Sequence, residues 1–296
     1  MITPASLQIQ AVLYKNEPHE LIRALESLVN AVRYDRENSR LLGEVFFCFG
    51  DASPEPIFNN TDIDALNQRF GDLIKVNYTF FNENTGYGKG HNLMAKGCCT
   101  DYLMIENPDI TVCGDYFYHM LTPFQNAKVG LTEARQTPIE HPKRYNDQTL
   151  EAEWSSGACF IMPTALFQKL DGFDTDSFFM YAEDVDLSLR IRREGKKLIY
   201  QPAAPVYHAK RVDPYAQLTH TRTEIRYSAE SQLVLAYKWN KPHMLSQMLH
   251  AFENGSDLQK EAVAAFRRRL NANELKRITS KTELFDDRLL ENRFSL

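Results

Sequence analysis

The chain has 296 residues, of which 43% are hydrophobic and 25% charged, and its formal net charge is −5. This length and composition suit a soluble enzyme with a sizeable core, and the acidic balance argues against a general nucleic-acid binder, which needs basic residues to neutralise phosphates. The first residues lack the basic and apolar parts of a signal peptide, and no stretch approaches the roughly 18 apolar residues of a membrane span, so we expect a cytoplasmic protein.

Strands and helices alternate in the first part of the sequence. Short apolar runs predict strands over residues 7–14, 44–49, 74–81 and 102–105. Helices are predicted over residues 18–32, 63–70 and 90–96, and the first of them repeats its leucine and valine positions with helical spacing. Such alternation indicates an α/β fold with a mostly parallel sheet flanked by helices.

The pattern loosens after residue 109. We predict a helix over residues 117–124 and a polar, proline-containing loop over residues 133–151, which is either a substrate-binding loop or an ordinary surface connection. Three further helices are predicted over residues 224–239, 244–253 and 258–270. We therefore divide the chain into a main domain over residues 1–212 and a helical extension over residues 213–296.

Polar motifs follow four of the predicted strands. They are Lys15-Asn16-Glu17, Gly50-Asp51-Ala52-Ser53, Asn82-Glu83-Asn84 and Asn107-Pro108-Asp109. Ligands of such sheets bind outside the carboxyl ends of the strands. We therefore expect the four motifs to border one crevice.

An acidic motif lies within an otherwise aromatic and apolar segment, residues 172–190. Glu183, Asp184 and Asp186 follow an apolar run, and a helical continuation places Arg190 one turn after Asp186, where the two can pair. One interpretation is that these acids only favour the N-terminal end of a helix dipole. The other is that they perform chemistry, and the accompanying motifs favour it.

The accompanying motifs occur in a specific order: NTGYGKGHN at 84–92, NPD at 107–109, WSSGACFI at 154–161, and YQP, APV and a histidine between 200 and 208. In this combination the chain, up to about residue 210, resembles glycosyltransferase family 2, especially its rhamnosyltransferase-like branch of bacterial surface polysaccharide synthesis. The resemblance implies the GT-A fold and an inverting transfer of a sugar. The donor would be dTDP-rhamnose or a UDP-sugar, and the acceptor a glycan or a lipid-linked glycan.

The resemblance also implies a set of donor-binding residues, namely Tyr14, Asn16, Asp51, Asn84, Gly86, Lys89, Asn92 and Asn107. Asp51 would meet the base, and the glycine-rich segment would lie against the nucleotide sugar, because glycine lets backbone approach a ligand closely. Two alternatives stay open. Asp51, followed by serine and proline, also forms a turn unaided, and Lys89 either meets a phosphate or points to water.

Asn107-Pro108-Asp109 resembles the DxD metal motif of the family, with asparagine in place of the first acid. The implied metal ligands are Asp109 and His208. Mg²⁺ and Mn²⁺ take oxygen ligands from one or two carboxylates and from substrate phosphates, and an imidazole beside a carboxylate favours Mn²⁺. The five cysteines show no zinc-type pairing, so we expect neither a zinc site nor a disulfide.

The resemblance makes Asp184 the general base that deprotonates the acceptor hydroxyl, and Glu183 its neighbour in acceptor binding. Trp154 and Gly157 would form part of the acceptor wall. The alternative is a non-catalytic sugar-nucleotide-binding or scaffold subunit of a polysaccharide assembly complex, in which the missing first acid of the metal motif abolishes turnover. The intact base and metal ligands argue against this alternative.

Basic residues cluster near the end of the sequence, at Arg267, Arg268, Arg269, Lys276, Arg277 and Lys281. Their alternation with apolar positions predicts either a solvated helical face or a peripheral contact with anionic lipid on the inner face of the cell membrane. The sequence leaves open whether the chain forms a homo-oligomer.

Overall fold

The computed structural model describes residues 4–140, 143–210 and 220–278. In these residues nine strands form one sheet in the order β3-β2-β1-β4-β8-β6-β9-β5, and β7 pairs with β9. The strands are β1 (Ala5–Leu13), β2 (Leu42–Asp51), β3 (Lys75–Phe80), β4 (Tyr102–Glu106), β5 (Ile110–Val112), β6 (Val129–Thr137), β7 (Glu151–Ala152), β8 (Cys159–Pro163) and β9 (Lys197–His208).

The first half of the sheet is parallel. β1 pairs in parallel with β2 and with β4, and β2 with β3. Leu13 lies opposite Asp51, and Asp51 opposite Phe80, so these three strands end at the same edge. The predicted parallel order of the first four strands is confirmed, and the polar motifs that follow them share that edge.

The second half of the sheet is mixed. β8 runs antiparallel to both β4 and β6, β6 is parallel to β9, and β5 and β7 are antiparallel to β9. The prediction of an irregular loop from residue 133 is wrong at its start, because β6 continues to Thr137. Both faces of β6 are largely buried, so its residues do not alternate between buried and exposed positions. The sequence therefore lacks the alternating apolar and polar pattern that marks a half-buried strand.

Nine α-helices lie in the described part of the chain. They are α1 (Pro18–Glu37), α2 (Asn60–Phe70), α3 (Gly86–Ala95), α4 (Tyr116–Leu121), α5 (Thr164–Lys169), α6 (Glu183–Arg193), α7 (Arg222–Lys238), α8 (Pro242–Glu253) and α9 (Asp257–Asn271). A 3-10 turn, Thr122–Gln125, follows α4. Apolar residues of α1, α2 and α4 form one core with the sheet, and residues of α5 and α6 form a second core with β4, β6 and β8. The architecture is thus a sheet between helical layers, as predicted.

The C-terminal helices α7–α9 share a third core with α6. Val185 and Leu189 of α6 pack in the same cluster as Leu233 of α7 and Phe266 of α9. The extension is therefore packed against the helix that begins with the acidic motif. The predicted boundary at residues 212 and 213 lies outside the described residues.

Three of the C-terminal basic residues pair with acids of the protein. Arg269 pairs with Glu230 at 3.2 Å, Lys276 with Asp176 at 2.8 Å, and Arg267 with Glu253. These pairs use the charges that a lipid surface would need, and Lys281 lies outside the described residues. A peripheral membrane contact stays a prediction. None of the helices in the described residues has the length and apolar character needed to cross a membrane.

Candidate active site

The acidic motif lies at the start of α6, where the backbone turns sharply. Tyr181 and Ala182 both have left-handed backbone conformations, with φ of 69° and 63°. Residues with side chains pay roughly 1–3 kcal/mol each for such a conformation, which persists only where the surroundings impose it. Ser231 of α7 contributes by donating a hydrogen bond to the carbonyl of Met180 at 2.7 Å. The strained turn places Glu183 and Asp184 in the first turn of α6.

Asp184 is held by backbone amides. Its Oδ2 accepts a hydrogen bond from the N–H of Gly157 at 2.6 Å, and its Oδ1 accepts one from the N–H of Val185 at 2.8 Å. Burial raises the pKa of Asp184, and the two amides oppose that rise. The side chain is half-buried rather than enclosed. Asp184 is therefore an oriented carboxylate that an incoming hydroxyl can reach.

Glu183 has a different environment from its neighbour. It is 4% exposed, and its Oε2 has no hydrogen-bond partner in the described residues. Burial, together with the charge of Asp184, raises the pKa of Glu183 to about 8. Because Asp184 has the amide donors that Glu183 lacks, Asp184 is the member of the pair that ionises first.

Asp186 anchors the site rather than facing it. It is fully buried, and its Oδ2 accepts a hydrogen bond from Nε of Arg190 at 2.8 Å, which confirms the predicted pairing. Its Oδ1 accepts hydrogen bonds from Trp239 at 2.9 Å and contacts Lys238 at 2.6 Å. Asp186 thus joins α6 to the end of α7.

The segment between β7 and β8 faces Asp184. A side chain at Gly157 would come within 2.9 Å of the Tyr87 hydroxyl and 3.3 Å of Asp184 Oδ2, so this position requires glycine. The Tyr87 hydroxyl donates a hydrogen bond to the Gly157 carbonyl. Trp154 is only 1% exposed and lies beneath the Lys143 ammonium, 4.8 Å from the ring centre. Trp154 is therefore a packing residue in this structure, and its contact with an acceptor stays a prediction.

Asp109 and His208 meet through the pairing of β5 with β9. Ile110 lies opposite His208 in this pairing, which leaves Asp109 beside the imidazole. His208 Nε2 lies 3.4 Å from Asp109 Oδ1 and 3.2 Å from the amide nitrogen of Asn107. Burial lowers the pKa of His208, and the neighbouring carboxylate raises it only in part. The imidazole is therefore neutral and able to act as a ligand.

These residues fit a divalent cation that also binds the substrate. In the ranges that the structure describes, no group of three or more histidine, cysteine or acidic side chains could hold a metal by itself. Mg²⁺ and Mn²⁺ sites at phosphates commonly use one or two protein carboxylates and take the remaining oxygens from phosphate and water. A carboxylate oxygen and an imidazole nitrogen 3.4 Å apart suit such an incomplete site.

Known structures share the architecture. The chain superimposes on GalNAc-T7 with UDP, GalNAc and Mn²⁺ at a TM-score of 0.66, with 13% identity, over 98% of this chain and 58% of that one. A mannosyltransferase of Pyrobaculum calidifontis, PcManGT with GDP-Man and Mn²⁺, gives 0.58 with 16% identity, over 91% and 81% of the two chains. S. aureus TarS 1–349 gives 0.51 with 12% identity, over 94% and 76%. The chain has the GT-A glycosyltransferase fold.

Sequence relatives agree with this GT-A assignment. An N-acetylglucosaminyl-diphospho-decaprenol L-rhamnosyltransferase of Mycobacterium tuberculosis is 35% identical over 91 residues, 31% of this chain and 27% of that relative. The rhamnosyltransferase WbbL of Escherichia coli is 29% identical over 104 residues, 33% of this chain and 38% of WbbL. The matches span well under half of either relative. No family model matches the sequence. Both relatives carry the name rhamnosyltransferase, and the chain is similar to each over about a third of its own length.

Asp51 forms hydrogen bonds with neighbouring groups of the protein itself. It is fully buried, its Oδ1 accepts a hydrogen bond from the N–H of Ser53 at 2.9 Å, and its Oδ2 accepts one from the Tyr78 hydroxyl at 2.5 Å. The N–H of Ile57 donates to the same oxygen at 2.8 Å. These hydrogen bonds are the ones expected if Asp51 shapes a turn, which is the alternative that the sequence left open. Recognition of a nucleotide base by Asp51 stays a prediction.

Two further residues predicted to bind the sugar donor, Tyr14 and Asn16, follow the end of β1 and are accessible. Tyr14 is 47% exposed, and the Lys15 ammonium lies 5.4 Å from the centre of its ring. Asn16 accepts a hydrogen bond from the N–H of Tyr14 at 2.9 Å, which closes a short turn after β1. This turn presents the Tyr14 ring at the edge of the sheet.

The glycine-rich segment packs closely against neighbouring elements, and its contact with a nucleotide sugar stays a prediction. A side chain at Gly86, whose φ is 66°, would meet the carbonyl of Phe179 at 2.5 Å. This glycine therefore lets α3 approach the loop over residues 170–182 that leads to α6, the acidic-motif loop. Asn84 accepts a hydrogen bond from the N–H of Gly86 at 3.1 Å. Lys89 is exposed and pairs with Glu83 at 2.8 Å. Lys89 therefore points toward water, and its contact with a phosphate stays a prediction.

Asn92 holds the other end of the acidic-motif loop. Its amide donates to the carbonyl of Phe173 at 2.8 Å and accepts from the N–H of Phe173 at 2.9 Å. Both polar atoms of this side chain are thus occupied by backbone. The structure gives Asn92 a role in shaping the loop, and its contact with a donor stays a prediction.

Three polar residues near the site were missed in the sequence. Gln136 and Glu133 lie on β6, and buried Lys143 pairs with Glu133. Glu133 also accepts a hydrogen bond from the N–H of Ser156 at 2.9 Å, and burial raises its pKa to about 7. All three lie in the stretch that we interpreted as a loop. A signal existed in the apolar residues Val129 and Leu131, which begin a strand pattern just before it.

Proposed function

We propose that the chain is an inverting glycosyltransferase that transfers a sugar from a nucleoside-diphosphate donor to a glycan or lipid-linked acceptor. One observation carries this proposal. Asp184 accepts a hydrogen bond from the N–H of Gly157 at 2.6 Å, and the N–H of Asn107 donates one to the carbonyl of Ala158 at 2.8 Å. The residue proposed to activate the acceptor and the motif proposed to receive the diphosphate are therefore hydrogen-bonded to two consecutive residues of one segment, Gly157 and Ala158.

The proposed reaction is a single displacement at the anomeric carbon. Asp184 takes the proton of the acceptor hydroxyl, the hydroxyl oxygen forms the new glycosidic bond, and the bond to the donor diphosphate breaks. Glu183, held neutral at pH 7, is able to donate a hydrogen bond to the acceptor. Asp109 and His208 would hold a divalent cation, which when bound supplies positive charge to the leaving diphosphate.

Support for the substrate class comes from the relatives. Both sequence relatives are named rhamnosyltransferases, and two of the solved neighbours bind UDP or GDP-Man. The Mycobacterium tuberculosis relative is named for a lipid diphosphate. We therefore propose dTDP-rhamnose or a UDP-sugar as donor, a lipid-linked glycan as acceptor, and Mn²⁺ or Mg²⁺ as cofactor.

A donor panel tests the proposal. The purified chain would be heated with UDP-, dTDP- and GDP-sugars, with and without Mn²⁺, because a ligand that binds only the folded state raises the melting temperature. The stabilising donor would then be offered with lipid-linked acceptors, and the anomeric configuration of the product read by NMR. We expect one donor class to stabilise the chain with Mn²⁺ and to give an inverted product.

The result also separates the proposal from a non-catalytic subunit. Donor binding without turnover on any acceptor would favour a binding or scaffold role. A product with retained configuration would contradict the displacement by Asp184. Equal turnover in EDTA and in Mn²⁺ would remove the metal from the proposal.

A further inference from the structure

Gln136 lies at the end of β6, between the metal motif and the segment that faces Asp184. It is 2% exposed. Its amide oxygen lies 2.8 Å from Nδ1 of His208, and its amide nitrogen donates to the hydroxyl of Ser156 at 3.1 Å. Gln136 therefore connects His208 of β9 to the residue that precedes Gly157.

The nitrogen of the Gln136 amide has a second partner, the Ser156 hydroxyl. The Ser156 hydroxyl oxygen accepts the Gln136 amide and also the N–H of Ala158, at 3.2 Å. With its nitrogen committed to Ser156, the amide presents its oxygen to His208. A carbonyl oxygen only accepts hydrogen bonds. The proton of the neutral imidazole therefore resides on Nδ1 of His208.

This proton position determines what His208 offers at its other nitrogen. Nε2 carries a lone pair, and it lies 3.4 Å from Asp109 Oδ1, which is also an electron-pair donor. Asn107 supplies the N–H that Nε2 accepts, at 3.2 Å. An imidazole nitrogen with a lone pair beside a carboxylate oxygen is arranged to share a cation, which would take the place of the Asn107 N–H at Nε2. The opposite tautomer would donate a proton to Asp109 and block the same nitrogen.

We propose that Gln136 is a positioning residue that keeps the Nε2 lone pair of His208 directed at Asp109 and so prepares this pair to bind a divalent cation. The inference rests on the proposed function for its cation, while the tautomer of His208 is independent of turnover. Outer partners of ligating histidines commonly change metal affinity by about 10-fold to 100-fold when they are replaced. Nothing in the local sequence around Gln136 indicates this role, because its partner is 72 residues away.

The test compares Gln136→Leu with Gln136→Glu. Leucine keeps most of the volume and removes the acceptor for Nδ1, whereas a carboxylate keeps it. Mn²⁺ binding would be measured by electron paramagnetic resonance in the presence of UDP. We expect Gln136→Leu to weaken Mn²⁺ binding about 10-fold to 100-fold and Gln136→Glu to stay within a few-fold of wild type.

A matched control exists elsewhere in the chain. Gln10 is a second buried glutamine beside a buried histidine, 3.3 Å from Nδ1 of His91. Gln10→Leu removes a similar contact, and we expect it to leave Mn²⁺ binding unchanged. If Gln10→Leu weakened binding as much as Gln136→Leu, a general loss of packing would explain both and the inference would be wrong.

A second measurement reads the imidazole directly. Nitrogen-15 NMR of histidine-labelled, metal-free protein, with His208 assigned through His208→Gln, reports which ring nitrogen carries the proton. We expect the proton on Nδ1 in wild type and a shift toward Nε2 in Gln136→Leu, where Asp109 becomes the remaining acceptor. A proton already on Nε2 in wild type would overturn the inference.

The outcomes separate the inference from the proposed function. If wild type and Gln136→Leu bound Mn²⁺ equally and had the same His208 tautomer, the proposed role of Gln136 would be wrong. The proposed sugar transfer would be unaffected by that result. Wild type that binds no Mn²⁺ with UDP would overturn both the inference and the metal-assisted reaction.

Discussion

The Lys238 ammonium lies 2.6 Å from Asp186 Oδ1, and this contact ties the last residue of α7 to the helix that begins with the proposed catalytic pair. Lys238 also lies 2.5 Å from Asp174, at the start of the loop that leads to α6. Burial alone would raise the pKa of Asp174, but Lys238 and Ser177 hold it at about 2. One buried cation thus fixes both ends of the acidic-motif loop.

Lys238→Met is expected to lower the free energy of unfolding by about 3–5 kcal/mol, since removing one partner of a buried pair leaves uncompensated charge. Asp174 and Asp186 would both lose this cation. Urea unfolding at pH 7 measures the change. Lys260→Met is the control, because Lys260 and Asp257 form an exposed pair 3.7 Å apart. A loss below about 1 kcal/mol for Lys238→Met would mean that Lys238 does not hold the loop.

Replacement of Asp184 tests the proposed base. Asp184→Asn keeps one oxygen to accept the N–H of Gly157 but loses the acceptor for the N–H of Val185, so a small loss of stability is expected with donor affinity kept, while kcat falls about 10²-fold to 10⁴-fold. Steady-state kinetics with saturating donor measure this loss. Asp186→Asn should instead lower stability, because Asp186 is fully buried among Lys238, Arg190 and Trp239. If Asp186→Asn lowered kcat more than Asp184→Asn did, Asp184 would not be the base.

The pH dependence of stability tests the state of Glu183. Its folded-state pKa of about 8 exceeds the ordinary value of 4.5, so the folded protein keeps a proton that the unfolded chain releases. The resulting stability is fully present below pH 4.5 and is lost as pH rises through 8, by at most about 1.4 kcal/mol per pH unit. We expect Glu183→Gln to remove this part of the decline.

Unfolding of wild type and Glu183→Gln would be compared at several pH values between 4.5 and 8. Glu133, whose pKa burial raises to about 7, also contributes in this window, so the difference between the two proteins is the relevant quantity. A difference that does not change with pH would show that Glu183 titrates normally.

Much of the fold follows from local pattern. The spacing of Leu21, Leu25 and Leu28 predicts the buried face of α1, and all three are fully buried or nearly so. The parallel first half of the sheet also follows, because each strand there is a short apolar run followed by a polar motif. The mixed half does not, since the order of β8, β6 and β9 depends on pairings between distant residues.

The candidate site likewise combines residues that the sequence predicts with residues that it does not. Motif order predicts Asp184, Asp109 and His208 as site residues, and the structure brings Asp109 and His208 together, while their roles stay predictions. Asp51 could not be assigned, because a turn and a base contact use the same residue types at the same spacing. Gln136 could not be found at all. Its importance arises from a partner 72 residues away, and a lone glutamine in a polar stretch has no distinctive pattern.

Glu106 offers a test of buried charge near the metal motif. It is 1% exposed, and neither carboxyl oxygen has a hydrogen-bond partner in the described ranges. Burial raises its pKa well above 4.5. We expect Glu106→Met to increase the free energy of unfolding by about 1–3 kcal/mol at pH 7, because an unsatisfied buried polar group is replaced by an apolar one.

Urea unfolding measures the effect of Glu106→Met. Glu44→Met is the control, since Glu44 is exposed and pairs with exposed Lys75, and we expect a change within about 0.5 kcal/mol. Destabilisation by Glu106→Met would indicate that the carboxyl group is satisfied in solution, for example by an internal water.

The last prediction concerns Gly157, whose N–H orients the proposed base. An added methyl group would lie 2.9 Å from the Tyr87 hydroxyl and 3.3 Å from Asp184 Oδ2, so the carboxylate must move by a few tenths of an ångström or more. Displacements approaching 1 Å cost about 10²-fold in rate. We expect Gly157→Ala to lower kcat about 10-fold to 10²-fold, with little change in donor KM. Gly114→Ala is the matched control, because its nearest neighbour, Tyr34, lies 3.6 Å away, an ordinary contact. If Gly157→Ala kept wild-type kcat while melting at the wild-type temperature, the amide of Gly157 would not be what positions Asp184 for catalysis.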